Sequence, residues 1–174
     1  MGEQTLVVGV DGSPASYTAL RWALMYAGRT GARVRAVHCW MPVVMRGWEA
    51  AVTAESVPSP AVQVARAQSQ LAEIVSAALI RVPKCAAGVD LEQKVLRGPA
   101  GPGLVCSAIG ADLLVVGHGP RVAELLHRSV SWYCVRHAHC PVLVIPPVMT
   151  RRKLSPAAAE VPDDHCTGPA SSPA

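Results

Sequence analysis

Short apolar runs recur along the chain, and between them lie longer stretches whose apolar positions return every three or four residues. The runs at 5–10, 34–39, 91–96, 113–116 and 142–145 are rich in Val and Leu and predict strands. After the first run, Ala19, Ala23 and Tyr26 keep helical spacing; Ser13 suits the N-cap, Pro14 the first helical position and Gly31 the terminator. Between 61 and 80, Val64, Ala67, Leu71, Val75 and Ala78 fall on one stripe while Arg66, Gln70 and Glu73 fall elsewhere, which predicts a second, amphipathic helix. A turn-rich segment at 98–103 precedes a short third helix through Leu104 and Ala108 that ends at Gly110. A fourth helix is predicted from Ser129 to about His137. Leu113-Leu114-Val115-Val116 is apolar without alternation, as befits a central parallel strand covered on both faces.

Strands alternating with helices in this order are the signature of βαβ units. The predicted fold is α/β: an open, doubly wound five-stranded parallel sheet in the order 3-2-1-4-5 with helices on both faces. Ligands of such sheets bind outside the carboxyl ends of the strands, where the winding direction reverses. That places Asp11-Gly12-Ser13, after the first strand, and Gly117-His118-Gly119, after the fourth, at the expected binding edge. The predicted domain occupies 1–147. From 148 to 174 the chain is Pro, Ala, Ser and charge with no periodicity, a composition expected to form a disordered tail.

Composition narrows the possibilities. With 51% hydrophobic and 16% charged residues the chain has enough apolar surface to build a core, and with 4% aromatics and no Phe that core is aliphatic. Few aromatics also mean few platforms on which nucleic-acid bases could stack. The net charge of +4 includes Arg151, Arg152 and Lys153; setting those three aside leaves +1, too little for a groove that follows a phosphate backbone. No apolar run approaches the roughly 20 residues that cross a bilayer, and Glu3 and Gln4 precede the first run, so a cytoplasmic protein with no membrane or nucleic-acid partner is expected. The six cysteines show no close pairing and are expected to be reduced and mostly buried.

Catalytic motifs are missing. Gly12-Ser13-Pro14 lacks the pattern of a nucleophile elbow, no phosphate loop ends in Gly-Lys-Ser or Gly-Lys-Thr, and 98–103 lacks the dinucleotide spacing. Asp163 and Asp164 fall in the tail, where no pocket would give two carboxylates different pKa values. Cys134, His137, His139 and Cys140 have metal-ligand chemistry but straddle a helix-to-strand junction, so turn-forming or buried side chains are expected and no metal site. His118 and His127 are expected to be solvent-exposed loop residues.

Val8-Gly9-Val10-Asp11-Gly12-Ser13, Val37-His38, the block from Gly110 through Asp112 and Val115 to Gly117, Ser129-Val130-Ser131, and His137-Ala138-His139-Cys140-Pro141-Val142 together resemble the universal stress protein family. The resemblance runs in order over about 4–147. It implies a five-stranded parallel α/β fold and a regulatory module in the stress response, not an enzyme. One branch of the family binds ATP, with Mg accompanying it, through an Asp after the first strand, backbone at the end of the second, and a loop of the form G-x-x-G-x9-G-[ST] after the fourth. By that resemblance the nucleotide-binding residues are Asp11, Gly12, Val37, Cys39, Gly117, Gly119, Ser129 and Val130. The glycine loop is degenerate: Pro120 and Arg128 stand where glycines are expected, and the segment from Gly117 to Ser129 is two residues short. Pro120 has no N–H to offer a phosphate and Arg128 brings a Cβ to the closest approach, whereas Arg121 or Arg128 could offer a guanidinium. Three alternatives stay open: a nucleotide-binding module, an interaction protein of the same family that binds no nucleotide, and a slow nucleotide hydrolase. The resemblance also implies a homodimer through the last strand, whose apolar edge is expected to pair, and a regulatory protein partner.

Overall fold

A computed structural model describes residues 4–42, 58–82, 88–118 and 129–146. The elements follow one another as β1 (Thr5–Gly9), α1 (Pro14–Thr30), β2 (Arg33–Trp40), α2 (Pro60–Ile80), β3 (Leu91–Arg97), α3 (Ala100–Ser107), β4 (Leu113–Gly117), α4 (Val130–His137) and β5 (Val142–Ile145). All strands are parallel and lie in the order β3-β2-β1-β4-β5, as the alternation of patterns predicts.

Period-two alternation along the strands divides the core into two layers. Leu6, Val8, Val34, Ala36 and Val115 face α1 and α2, where Leu20, Leu24, Leu71 and Val75 meet them. Val7, Val37, Leu114 and Val116 face α3 and α4, where Leu104 and Cys134 close the layer. Because β1 and β4 are covered on both sides, their sequences are continuous apolar runs.

Local chemistry sets the helix ends. Ser13 caps α1 by accepting from Ser16 N–H at 3.2 Å, Pro14 occupies the first turn, and Gly31 ends the helix in the left-handed region at φ 74°. Ser59 caps α2 in the same way, accepting from Val62 N–H. At the far sheet edge Arg33–Asp90 (2.6 Å) and Arg35–Glu92 (2.7 Å) tie β2 to β3 and its approach.

The segment 98–103 departs from its turn-rich expectation, since α3 already begins at Ala100 and contains Gly101, Pro102 and Gly103. Proline is tolerated there because the first turn of a helix leaves its N–H groups unpaired. The glycines are steric: a Cβ on Gly101 would lie 2.7 Å from Tyr133 Cδ1, and one on Gly103 would lie 2.8 Å from Cys39 Sγ. The tail beyond 146 lies outside the described residues, as does the segment 119–128.

A candidate ligand cavity at the carboxyl ends of β1, β2 and β4

Crossover connections leave β1 toward one face and β4 toward the other, and the crevice between their carboxyl ends is where a ligand fits. A cavity of about 330 Å³ opens there. Asp11, Val37, Cys39, Gly117, Ser129 and Val130 all line it, so six of the eight residues selected from sequence meet in one cavity. Gly12 faces the other way, into an open groove of about 610 Å³ between α1 and α2, beside Tyr17, Arg21 and Ile74. Gly119 falls outside the described residues, together with Pro120, Arg121, His127 and Arg128.

Asp11 sits in a turn tied to the start of α1. Its Oδ1 accepts from Ser13 N–H at 2.9 Å, and its own N–H donates to Ser16 Oγ at 3.3 Å. Partial burial opposes its charge, but hydrogen bonds from the Ser16 and Ser13 side chains and from backbone N–H groups outweigh that effect and hold the carboxyl below the usual aspartate value. The local turn role and an anionic acceptor at the cavity wall are therefore compatible. Strand pairing continues past β1 through Val10 N–H to Val37 O at 2.9 Å. His38 then lies beneath this extension, buried, with Nδ1 at 2.8 Å from Val10 O.

Gly117 has a reason independent of any ligand. A Cβ there would come within 2.6 Å of Ala15 C and Ser16 N, so the first turn of α1 can dock on the end of β4 only if residue 117 lacks a side chain. Asp11, Ser16 and Ser129 line the same cavity as Gly117. On the far wall Ser129 and Ser131 exchange a hydroxyl hydrogen bond at 2.8 Å at the N-terminus of α4, where no acidic side chain occupies the first turn. Ser16, Ser131, Ala100 and Leu104 complete the lining. They were absent from the sequence-selected set: the two serines are buried polar residues on helix faces, and Ala100 and Leu104 arrive through α3, whose start the Gly-Pro composition concealed.

The cavity wall thus has an apolar part, made by Val37, Leu104, Val116 and Val130, and a polar part made by Asp11 and serine hydroxyls. Such a pairing suits a flat apolar group joined to a hydroxylated or anionic one. Cys39 contributes a half-buried thiol, and burial pushes its pKa up. Burial, with Cys39 and Cys140 nearby, raises the Cys134 thiol to about 11. Cys39, Cys106, Cys134 and Cys140 are free thiols; against expectation Cys106 is exposed, while Cys85 and Cys166 lie outside the described residues. Among the described residues no group of three His, Cys, Asp or Glu side chains is placed to hold a metal. Cys134 is buried in the core while the His137 ring packs at a tilt of 37° against Tyr133, centroids 4.3 Å apart. His118 departs from its expected exposure: it is half-buried, its backbone N–H donates to Ile145 O at 2.7 Å, and its Nε2 is buried with no partner among the described residues. No described helix is long and apolar enough to cross a membrane.

A doubly wound parallel sheet with a cavity at its switch point places the chain among the α/β domains. The family model described as the universal stress protein family matches residues 3–146, and the chain belongs to that family. Curated relatives include universal stress proteins of Mycobacterium bovis and Mycobacterium tuberculosis, each 33% identical over 150 residues that cover 81% of this chain and 47% of the relative. The chain thus spans about half the length of these relatives. Among solved structures, a universal stress protein in complex with cAMP is 26% identical and superposes with a TM-score of 0.55, over 83% of this chain and 98% of the other. A family protein from Burkholderia pseudomallei, also 26% identical, gives 0.57 over 82% and 96%.

Proposed function

We propose that the chain is a regulatory nucleotide-binding module that acts in the cytoplasm and has no efficient turnover of its own. The observation that carries this reading is the cavity of about 330 Å³ at the β1/β4 switch point, which has an apolar slot on one side and Asp11 with serine hydroxyls on the other. The cAMP held by a 26% identical family member supports an adenine nucleotide as the ligand class.

The residues present fit such a ligand. Val37, Leu104 and Val130 offer apolar contact to a base, Asp11 offers an acceptor to ribose hydroxyls, and Ser129 and Ser131 stand at the N-terminus of α4, where peptide dipoles favour an anion. ATP would use the same residues, and an accompanying Mg would offset phosphate charge. In this reading the cavity supplies position and recognition.

Equilibrium dialysis with labelled ATP and labelled cAMP, wild type against Asp11→Ala, tests this reading. Saturable binding is expected for the wild type, weakened about tenfold or more in Asp11→Ala through loss of a charged acceptor. Absence of saturable binding by the wild type at millimolar ligand overturns it and leaves the interaction-protein alternative. Phosphate release from ATP faster than in buffer alone would instead establish a hydrolase.

A further inference from the structure

The described lining of the switch-point cavity is short of positive charge. Asp11 is ionised at neutral pH, and none of the described residues that line the cavity is Lys, Arg or His. The N-terminus of α4 adds some positive potential, yet a helix dipole is equivalent to only about half an elementary charge. A phosphate carries a full charge or more, and proteins balance it best with a guanidinium that meets two of its oxygens. A nucleotide in this cavity therefore brings its phosphates beside an anion with no described cation to meet them. In the loop after β4 the glycines that would turn N–H groups toward phosphate are replaced by Pro120 and Arg128.

β5 ends where the cavity opens. All five strands are parallel, so their carboxyl ends lie together, and Ile145 pairs in register with Gly117, which lines the cavity. The backbone bond from His118 N–H to Ile145 O, 2.7 Å, keeps that pairing to the last residue of the strand. Strands lie about 4.8 Å apart, which puts the carboxyl end of β2, three strands over, about 14 Å from Ile145. The chain leaves the sheet at this point and comes to Arg151, Arg152 and Lys153 six to eight residues later. At about 3.3 Å per residue these positions can extend about 20–26 Å from Ile145, farther than the cavity is wide. A tether of this length holds a group at an effective concentration on the order of millimolar around its anchor. The next charges, Glu160, Asp163 and Asp164, start seven residues beyond Lys153, so the part of the segment nearest the cavity is cationic.

We propose that Arg151, Arg152 and Lys153 bind the phosphates of the cavity's ligand, as a cationic arm anchored at the mouth by β5; the proposal rests on the nucleotide-binding reading above. Asp11 and the apolar slot take the nucleoside, and the arm takes the charge. Its contribution grows with the charge on the ligand: none for adenosine, small for cAMP with its single phosphodiester, and largest for ATP. Phosphates met by guanidinium groups need no backbone N–H turned toward them, so an arm of this kind makes Pro120 and Arg128 compatible with nucleotide binding. The shortened loop is the competing source of cations, but it carries Arg121 and Arg128 with Glu124 between them, two positive charges less one negative, against three adjacent positive charges in the arm.

Equilibrium dialysis of the full chain with labelled adenosine, cAMP and ATP tests the arm, wild type against the triple variant Arg151→Gln/Arg152→Gln/Lys153→Gln. The three positions follow the last strand, so the circular dichroism spectrum and unfolding midpoint are expected to be unchanged. The triple variant is expected to bind ATP about tenfold or more weakly, cAMP about threefold more weakly, and adenosine within about twofold of the wild type. Raising the salt from about 0.05 M to about 0.5 M is expected to shrink the difference for ATP, because exposed charges are screened. ATP affinity equal in the two proteins within about twofold, or the same weakening for adenosine as for ATP, would overturn the proposal. So would a loss of ATP binding in Arg121→Gln/Arg128→Gln that the triple variant does not share, which assigns the phosphates to the loop. A wild type that binds none of the three ligands removes the nucleotide reading itself, whereas a wild type that binds ATP beside an unimpaired triple variant removes the arm alone.

Discussion

Gly117 provides a sharp test of how this fold assembles its cavity. It ends β4 with no positive φ, so replacing it by Ala introduces no backbone strain, only one methyl group. That methyl would sit 2.6 Å from both Ala15 C and Ser16 N and 3.0 Å from Ala15 Cβ. Ordinary contact begins near 3.4 Å, so the first turn of α1 must retreat from β4 by about 0.8 Å, and because two of the three obstacles are backbone atoms no rotamer change relieves the clash. Overpacking of this kind costs about 1–3 kcal/mol, and Gly117→Ala belongs at the upper end, about 2–3 kcal/mol. In a domain of this size that lowers Tm by about 6–10 °C. Gly9→Ala is the internal control: its methyl would lie 2.8 Å from Leu104 Cδ1, the end of a flexible side chain, and about 1 kcal/mol is expected. Urea unfolding followed by circular dichroism measures both. A Gly117→Ala protein within about 0.5 kcal/mol of the wild type would show that α1 does not depend on this close approach, and the reasoning that the first turn of α1 docks on β4 only because residue 117 lacks a side chain would fail.

Two titrations follow from the same structure. Asp11 has its pKa lowered from 3.8, so its contribution to stability is present above that value and is lost as pH falls through the lower folded-state value; in urea unfolding between pH 3 and 7, the gap between wild type and Asp11→Asn is expected to be constant above about pH 5 and to shrink below about pH 4. Cys134 has its thiol raised from 9.0 to about 11, so its contribution is present below 9 and is lost as pH climbs toward 11; stability is expected to decline over that interval, and a thiol reagent at neutral pH should label the exposed Cys106 long before Cys134.

Strand order was legible because short β-rich runs alternate with stretches of helical spacing; α1 was legible from its cap at Ser13-Pro14 and α2 from its apolar stripe, whereas its own cap, Ser59, was not read. Asp11 and Gly117 were legible as cavity residues because a doubly wound sheet has one switch point, and they follow the two strands that flank it. What escaped notice was three-dimensional in origin. The start of α3 reads as a turn because Gly101 and Gly103 are there for contact with Tyr133 and Cys39, and a contact partner distant in sequence leaves no local pattern. His118 reads as a loop residue because the pairing of its N–H with Ile145 depends on β5 lying beside β4. The resemblance implies Gly12 as a ligand residue, yet its φ of 84° turns the chain there, and it lines the groove between α1 and α2.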